Sequence, residues 1–373
     1  MDGMMPKTKV RYSYLPQQFE DCDDLWAELK AFVKTGDFTL GAPLTEFEGR
    51  FASLIGTKHA VGVNSGTDAI KLSLKALGVG YGDEVITAAN TFIATVGAIA
   101  EIGATPVFVD CDDTFCMVPE QIEAAITEKT KALCPVHFTG YMTDMRKVLP
   151  IAEKHGLGIV EDACQSILAD IEGKRAGTWG NTGAFSLHPL KNINVWSDGG
   201  IIVTDDDDLA DHLRLLRNHG LVDRDTIGIM GYNSRLDTLQ AVVGNWLIGS
   251  AEDIAAKRIE NAERYDAGFS EIPEIRIPPR MDWMRRVYHL YIVFAEDRDG
   301  LLQHCLDAGI EAKIHYPVPL YQQEGLKPFG YKAGDFPVTD RHTKEIITFP
   351  ADQHLAAEQI DYVIETVREF YRR

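Results

Sequence analysis

The sequence predicts an α/β protein: a large domain whose mostly parallel central sheet is flanked by helices, followed by a smaller C-terminal α+β domain. Three observations carry this. Short apolar runs alternate with helical patterns through the middle of the chain, those runs have no polar face, and composition breaks near residues 271–280. Strand–helix alternation indicates βαβ units, and strands apolar on both sides fit a sheet covered on both faces. At 373 residues the chain also exceeds what one hydrophobic core usually supports.

The expected strands are GDEVITA (82–88) and TPVFVD (105–110), rich in β-branched residues, and KALCPVHF (131–138) and GLGIVEDA (156–163), which follow the same design. TFIATVGAIAEIG, PEQIEAAITEK and DMRKVLPIAEKHG lie between them with helical spacing. DDDDLADHLRLLRNHG (205–220) reads as one helix, acidic at its start, basic at its end and stopped by Gly220. Leu209, Leu213 and Leu216 form its buried stripe, so the acidic run is a helix start rather than a metal site. Three prolines in EIPEIRIPPR (271–280) mark a boundary. VYHLYIVFA (287–295), DGLLQHCLDAG and EAKIHY (311–316) then give a strand–helix–strand order, and LAAEQIDYVIETVREFYRR closes the chain as a helix. We expect residues 1–255 to hold an N-terminal arm and the large domain, and 256–373 the small domain.

Composition narrows the function. With 37 Lys and Arg against 56 Asp and Glu, the formal charge of −19 argues against a nucleic-acid partner. A locally positive pocket for a small anionic substrate stays compatible with it. Windows such as VGAIAEIGATPVFV are too short to span a membrane and carry Glu101, so no membrane role is expected. MDGMMPKTKVRYSY lacks the apolar core of a secretory signal, and the six cysteines show no C-x-x-C spacing. A cytoplasmic protein with reduced thiols is the expectation. Eleven scattered histidines without H-E-x-x-H point to no metal site.

Four stretches carry chemistry. In VGVNSGTDAIKLSLKALG (61–78) a strand runs into small residues that open a helix, where backbone N–H groups favour an anion. Gly66 and Thr67 are phosphate candidates there; a plain N-cap at Thr67 is the alternative, and Asp68 is an electrostatic objection. GLGIVEDACQS (156–166) ends a strand in Glu161 and Asp162, at the edge where parallel sheets bind ligands, although Asp162 could instead cap a helix. AFSLHPLKNINVWSDGG (184–200) places a lone lysine, Lys191, in an apolar run five residues after Ser186. An exposed loop lysine is the plain reading; a desolvated nucleophilic amine is the chemical one. GYNSRLDTLQA (231–241) sets Asn233 and Arg235 before a helix, where capping is the alternative to anion binding. Phosphate donors, a strand-end acid and one lysine together match the needs of pyridoxal 5′-phosphate: an anchored phosphate, a protonated ring nitrogen and an aldehyde held by an amine.

These motifs, with TGDFTLGAPLTEFEGRF, GDEVITAANTFIAT, PVHFTGYMTDM, LRNHG and IHYPVPLYQQ, give a chain that resembles the DegT/StrS sugar aminotransferases over nearly its whole length. The resemblance implies a fold type I pyridoxal-phosphate transferase. It makes Lys191 the Schiff-base lysine and proton shuttle, and Asp162 the partner of the pyridinium nitrogen. Gln165 would bond the ring hydroxyl, Phe92 would stack on the ring, and Gly66, Thr67 and Ser186 would hold the phosphate. Asn233 would reach the neighbouring subunit's cofactor, implying a homodimer with shared sites. His188, His315, Tyr316 and Tyr321 fall in segments that approach the substrate.

The resemblance implies amino transfer from L-glutamate to a keto or aldehyde sugar. The L-H-P-L-K-N-I-N-V-W spelling is similar to the subgroup that forms 8-amino-3,8-dideoxy-manno-octulosonate for lipopolysaccharide. A nucleotide-linked keto-hexose is the alternative acceptor. A sugar dehydratase of the same fold is disfavoured, because those relatives replace the lysine with histidine. A non-catalytic, cofactor-binding regulatory protein is the reading from another class.

Overall fold

The computed structural model describes residues 9–372. Its main sheet holds seven strands: β1 (His59–Val63), β2 (Glu84–Ala88), β3 (Thr105–Val109), β4 (Thr130–Cys134), β5 (Gly158–Asp162), β6 (Thr182–Ser186) and β7 (Gly200–Thr204). They lie in the order β1-β7-β6-β5-β4-β2-β3. β7 runs antiparallel to both neighbours and every other pair is parallel.

The apolar strand runs are explained by what each face touches. Ile86, Leu133, Ile159 and Ile201 enter one core, while Val85, Ala132, Val160 and Ile202 enter a second on the opposite face. Because side chains alternate along a strand, a sheet buried on both faces favours apolar residues on both sides of each strand. α1 (Gly66–Ala76) follows β1 and α2 (Ile93–Glu101) follows β2, so both helices begin near the strand ends that carry Asp162 and Ser186. β5 and β6 pair in register, with Asp162 opposite Ala184, which brings those two strand ends together.

A third core surrounds the antiparallel pair β8 (Tyr291–Ala295) and β9 (Ile346–Phe349). The long helix α4, after α3 (Asp207–Leu216), runs Ala251–Phe269 and joins the two halves. Its Ile254 and Ala255 pack in the first core and its Ala262, Tyr265 and Phe269 in the third. The expected division at 255/256 therefore falls inside one continuous helix.

Other expectations need revision. The described part of the N-terminal arm touches both halves: Val10 and Tyr14 join the third core, the Glu311 N–H donates to the Val10 carbonyl at 3.0 Å, and Gln18 Nε2 donates to Asn194 Oδ1 in the large domain at 3.0 Å. EAKIHY does not form a strand. Only Lys313 bridges Thr348, and β9 occupies the place beside β8 instead. PEQIEAAITEK yields a single 3₁₀ turn and the four-residue helix Ile122–Ala125, because Ile126 is already extended. α3 ends at Leu216 rather than at Gly220. That glycine has φ +72°, and a Cβ there would lie 1.8 Å from the Ile229 carbonyl oxygen, so it serves a close loop crossing. Among the described residues no helix is long and apolar enough to cross a membrane, and all six cysteines are unpaired.

Candidate active site

The strand ends and helix starts enclose a cavity of about 390 Å³, walled on its other side by residues from the C-terminal half. Gly66, Thr67, Phe92, Asp162, Gln165, Ser186, His188, Lys191, His315 and Tyr316 all line it.

Lys191 sits in the turn after β6. Its N–H donates to the His188 carbonyl at 2.8 Å, and its own carbonyl accepts from Asn194 Nδ2 at 3.0 Å. The next residue anchors the turn across the cavity, with Asn192 Nδ2 donating to the Val287 carbonyl at 3.0 Å. Burial holds the Lys191 amine below the usual lysine range; nearby Cys164 and Asp162 oppose the shift without cancelling it. This is a lysine prepared to lose its proton, not a solvated loop cation.

The adjacent acids of β5 separate completely, as neighbours on a strand must. Glu161 is wholly buried. Its Oε1 accepts from Trp179 N (2.6 Å) and Gly180 N (2.8 Å), and its Oε2 from Gly177 N (2.9 Å) and His137 Nε2 (2.8 Å). Asp162 lines the cavity at 5% exposure. Thr95 Oγ1 donates to its Oδ2 at 2.7 Å and Cys164 N to its Oδ1 at 3.2 Å. Among the described residues it joins no ion pair, which is unusual for a buried carboxylate and leaves it suited to a cationic ligand. Asp162 is not a helix cap; the strand simply ends there.

The start of α1 is capped by Ser65, whose Oγ accepts from Asp68 N at 3.1 Å, so Thr67 is not the cap. The Asp68 objection dissolves as well. Its carboxylate is neutralised by Lys71 Nζ at 2.6 Å and accepts from Ser234 Oγ at 2.6 Å. A Cβ on Gly66 would stand 2.7 Å from Ser186 Cβ, so glycine alone allows the helix start to approach β6 this closely. Gly200 plays the same part behind it, where a Cβ would meet the Ser65 carbonyl oxygen at 2.1 Å.

Gln165 Oε1 accepts from Thr139 N at 2.7 Å, which fixes the amide and leaves its NH₂ as the donor for a ligand. Phe92 is 50% exposed at the mouth, and Tyr316 lies between it and Phe138, with ring centroids at 6.0 and 6.2 Å. His188 accepts from Leu190 N through Nδ1 at 3.2 Å, so Nε2 carries its proton; burial and Lys191 hold its pKa low. His315 contacts Thr348 Oγ1 at 2.9 Å and is pushed down to about 4, chiefly by burial and then by Lys313 and Lys191.

Two expected residues are not brought to this cavity. Tyr321 is buried in a small satellite core with Phe108, Leu326 and Phe336, and its hydroxyl donates to Asp340 Oδ1 at 2.5 Å. Asn233 is exposed on a loop, bridged to Asn218, away from the cavity of its own chain. Sequence reasoning missed Thr95 and Thr91, whose hydroxyls lie 2.7 Å apart behind Asp162, and also Tyr12, Arg258, His289 and Lys313 on the far wall. Thr95, in the first turn of α2, was the findable one: a buried hydroxyl at the C-terminal edge of a parallel sheet.

The family model of the DegT/DnrJ/EryC1/StrS aminotransferases matches residues 21–368. The chain belongs to this family. A pleiotropic regulatory protein from Geobacillus stearothermophilus is 39% identical over 362 residues, which cover 96% of this chain and 97% of that one. The dTDP-3-amino-3,4,6-trideoxy-alpha-D-glucose transaminase of Streptomyces venezuelae is 38% identical, covering 93% and 92%. The crystal structure of S. venezuelae DesV in complex with a ketimine intermediate superposes with a TM-score of 0.96 at 37% identity, covering 98% of this chain and 100% of that one. NtdA from Bacillus subtilis, solved with bound cofactor PMP, superposes at 0.91 with 29% identity, covering 98% and 86%.

Proposed function

We propose that the protein is a pyridoxal-phosphate-dependent sugar aminotransferase, taking nitrogen from L-glutamate and giving it to a nucleotide-linked keto-hexose. One observation carries the reading. A desolvated lysine and a buried carboxylate without an ion-pair partner share one cavity with a glycine-lined helix start. That donor set fits the cofactor: Asp162 matches a protonated ring nitrogen, and Gly66, Thr67 and Ser186 match a phosphate. When bound, pyridoxal phosphate supplies an aldehyde and an electron-accepting ring.

The chain's own residues divide the remaining work. Lys191 Nζ would hold the aldehyde and, once released, would take the proton from Cα of the amino donor; burial lowers its pKa, which favours the proton-accepting form. Asp162 would keep a proton on the ring nitrogen, and the Thr95 hydroxyl keeps Asp162 oriented. The Gln165 amide would address the ring hydroxyl and Phe92 would cover the ring face. His188, His315 and Tyr316 form the substrate wall. Asn233, exposed and outside its own cavity, serves the phosphate of a second subunit in a homodimer.

The nucleotide-linked acceptor rests on the dTDP-sugar named for the S. venezuelae relative. The octulosonate acceptor drawn from the motif spelling gains no support from the relatives named above. The Geobacillus relative bears a regulatory name, but a cofactor-binding sensor has no need of a lysine with a lowered pKa in the same cavity as an oriented acid. Retention of Lys191 speaks against the dehydratase reading. The test is spectroscopic: L-glutamate should convert the aldehyde form of the holoenzyme to its amine form, and a nucleotide-linked keto-hexose should restore it. No response to any amino acid would overturn the proposal.

A further inference from the structure

Among the described residues, three Lys or Arg side chains line the cavity: Lys191, Arg258 and Lys313. Two are committed. Lys191 is the amine assigned to the cofactor aldehyde. Arg258 is buried and donates through Nε to Gln353 Oε1 at 3.0 Å and through Nη1 to the carbonyls of Tyr288 (3.2 Å) and His289 (3.5 Å). Its Nη2 lies 3.9 Å from Asp352 Oδ2.

Lys313 is different. Among the described residues it forms no ion pair, although the chain carries 56 acids and a net charge of −19. Its ammonium rests 4.0 Å from the ring centroid of Tyr12, a contact that places the charge without neutralising it. The backbone beneath is fixed from both sides, with Lys313 N donating to the Thr348 carbonyl at 3.0 Å and Thr348 N to the Lys313 carbonyl at 2.8 Å. Tyr12 is fixed too: its N–H donates to Glu311 Oε2 at 2.8 Å, and its ring stacks on His315 with centroids 5.7 Å apart. The arm and the 313–315 segment thus hold an uncompensated cation in place at the cavity edge. After burial, Lys313 is the next largest cause of the lowered pKa of His315, so its charge is felt inside the cavity wall.

We infer that Lys313, seated on Tyr12, is the binding point for a carboxylate of the amino donor. The inference rests on the aminotransferase reading, and it follows from a chemical requirement. Every amino-acid donor brings a carboxylate into the cavity, and of the three cations there only Lys313 is free to receive one. A charge-assisted contact of this kind supplies affinity and orientation, not chemistry.

The experiment uses the holoenzyme in its aldehyde form, with wild type compared to Lys313→Gln and Lys313→Arg. In the L-glutamate half-reaction, Lys313→Gln should raise the apparent dissociation constant roughly 10- to 100-fold while the limiting rate changes little, and Lys313→Arg should recover most of the loss. Calorimetric titration with glutarate, a dicarboxylate without an amino group, should weaken by a similar factor. Unchanged glutamate and glutarate affinities in Lys313→Gln would overturn the inference. So would a defect confined to the keto-sugar half-reaction, which would assign the ammonium to the acceptor. If wild type itself fails to respond to glutamate, the aminotransferase reading falls separately, and the glutarate titration still decides what Lys313 binds.

Discussion

Glu161 and Asp162 are adjacent carboxylates whose amide substitutions should fail in opposite ways. Glu161 accepts four N–H donors, two at each oxygen, whereas glutamine offers one carbonyl and one NH₂ group. Whichever way the amide turns, two buried donors face another donor. His137 cannot adapt by becoming an acceptor at Nε2, because its Nδ1 already accepts from Thr143 N at 3.2 Å. Two orphaned donors at about 1–3 kcal/mol each give a loss of about 2–6 kcal/mol for Glu161→Gln. At about 2 °C per kcal/mol for a protein this large, the apo-protein should melt roughly 4–12 °C lower. Asp162→Asn should behave otherwise. The new carbonyl can keep the Cys164 N–H, and the new NH₂ can donate to Thr95 Oγ1, which turns its own hydrogen toward Thr91 Oγ1. No hydrogen bond need be lost, so its melting point should move little while transamination collapses for want of a charge at the ring nitrogen. Differential scanning calorimetry of both apo-variants, with the glutamate half-reaction on both holoenzymes, reads the two effects separately. If Asp162→Asn proves the less stable variant, or Glu161→Gln melts with wild type, the division of roles is refuted.

Three further outcomes follow from the same geometry. His315 is held down to about 4 in the folded state against about 6.5 unfolded, so between those values only the unfolded chain binds the proton and stability falls as pH falls. His315→Gln should remove about 3 kcal/mol of that acid sensitivity, seen as a flatter melting temperature between pH 6.5 and 4. Lys191 has the same sign at higher pH: its lowered pKa means apo-protein stability rises with pH toward the unfolded lysine value. Lys191→Met should therefore be the more stable apo-protein at neutral pH, with the gap closing in alkaline buffer; a constant gap would count against a desolvated amine. Gly66→Ala puts a Cβ 2.7 Å from Ser186 Cβ and 3.0 Å from Cys164 Sγ, and the displaced helix start should weaken pyridoxal phosphate binding roughly tenfold in equilibrium dialysis.

The parts legible in the sequence share one property: their signal is local. β2, β3 and β5 were readable because burial on both faces gives short, mainly apolar runs, and Lys191, Asp162 and Gly66 because each lies where a strand ends or a helix begins. What escaped depends on segments far apart in the chain. EAKIHY has strand composition, yet β9 had the better claim on β8, and nothing within six residues reveals that competition. Tyr321 follows a substrate-side segment but turns inward to Asp340, a partner 19 positions on. Lys313 and Tyr12 meet although 301 positions separate them, so neither announces the other. The two acids of β5 look interchangeable in one dimension; only the sheet's two faces assign one to stability and the other to the cavity.

The central claim is that Lys191 is the amine that holds the cofactor. Borohydride reduction of the purified holoenzyme, followed by proteolysis and mass spectrometry, tests it most directly. The phosphopyridoxyl mass should appear on the peptide containing Lys191, and no adduct should form in Lys191→Ala. An adduct on another lysine, or a Lys191→Ala enzyme that still converts glutamate, would contradict the account.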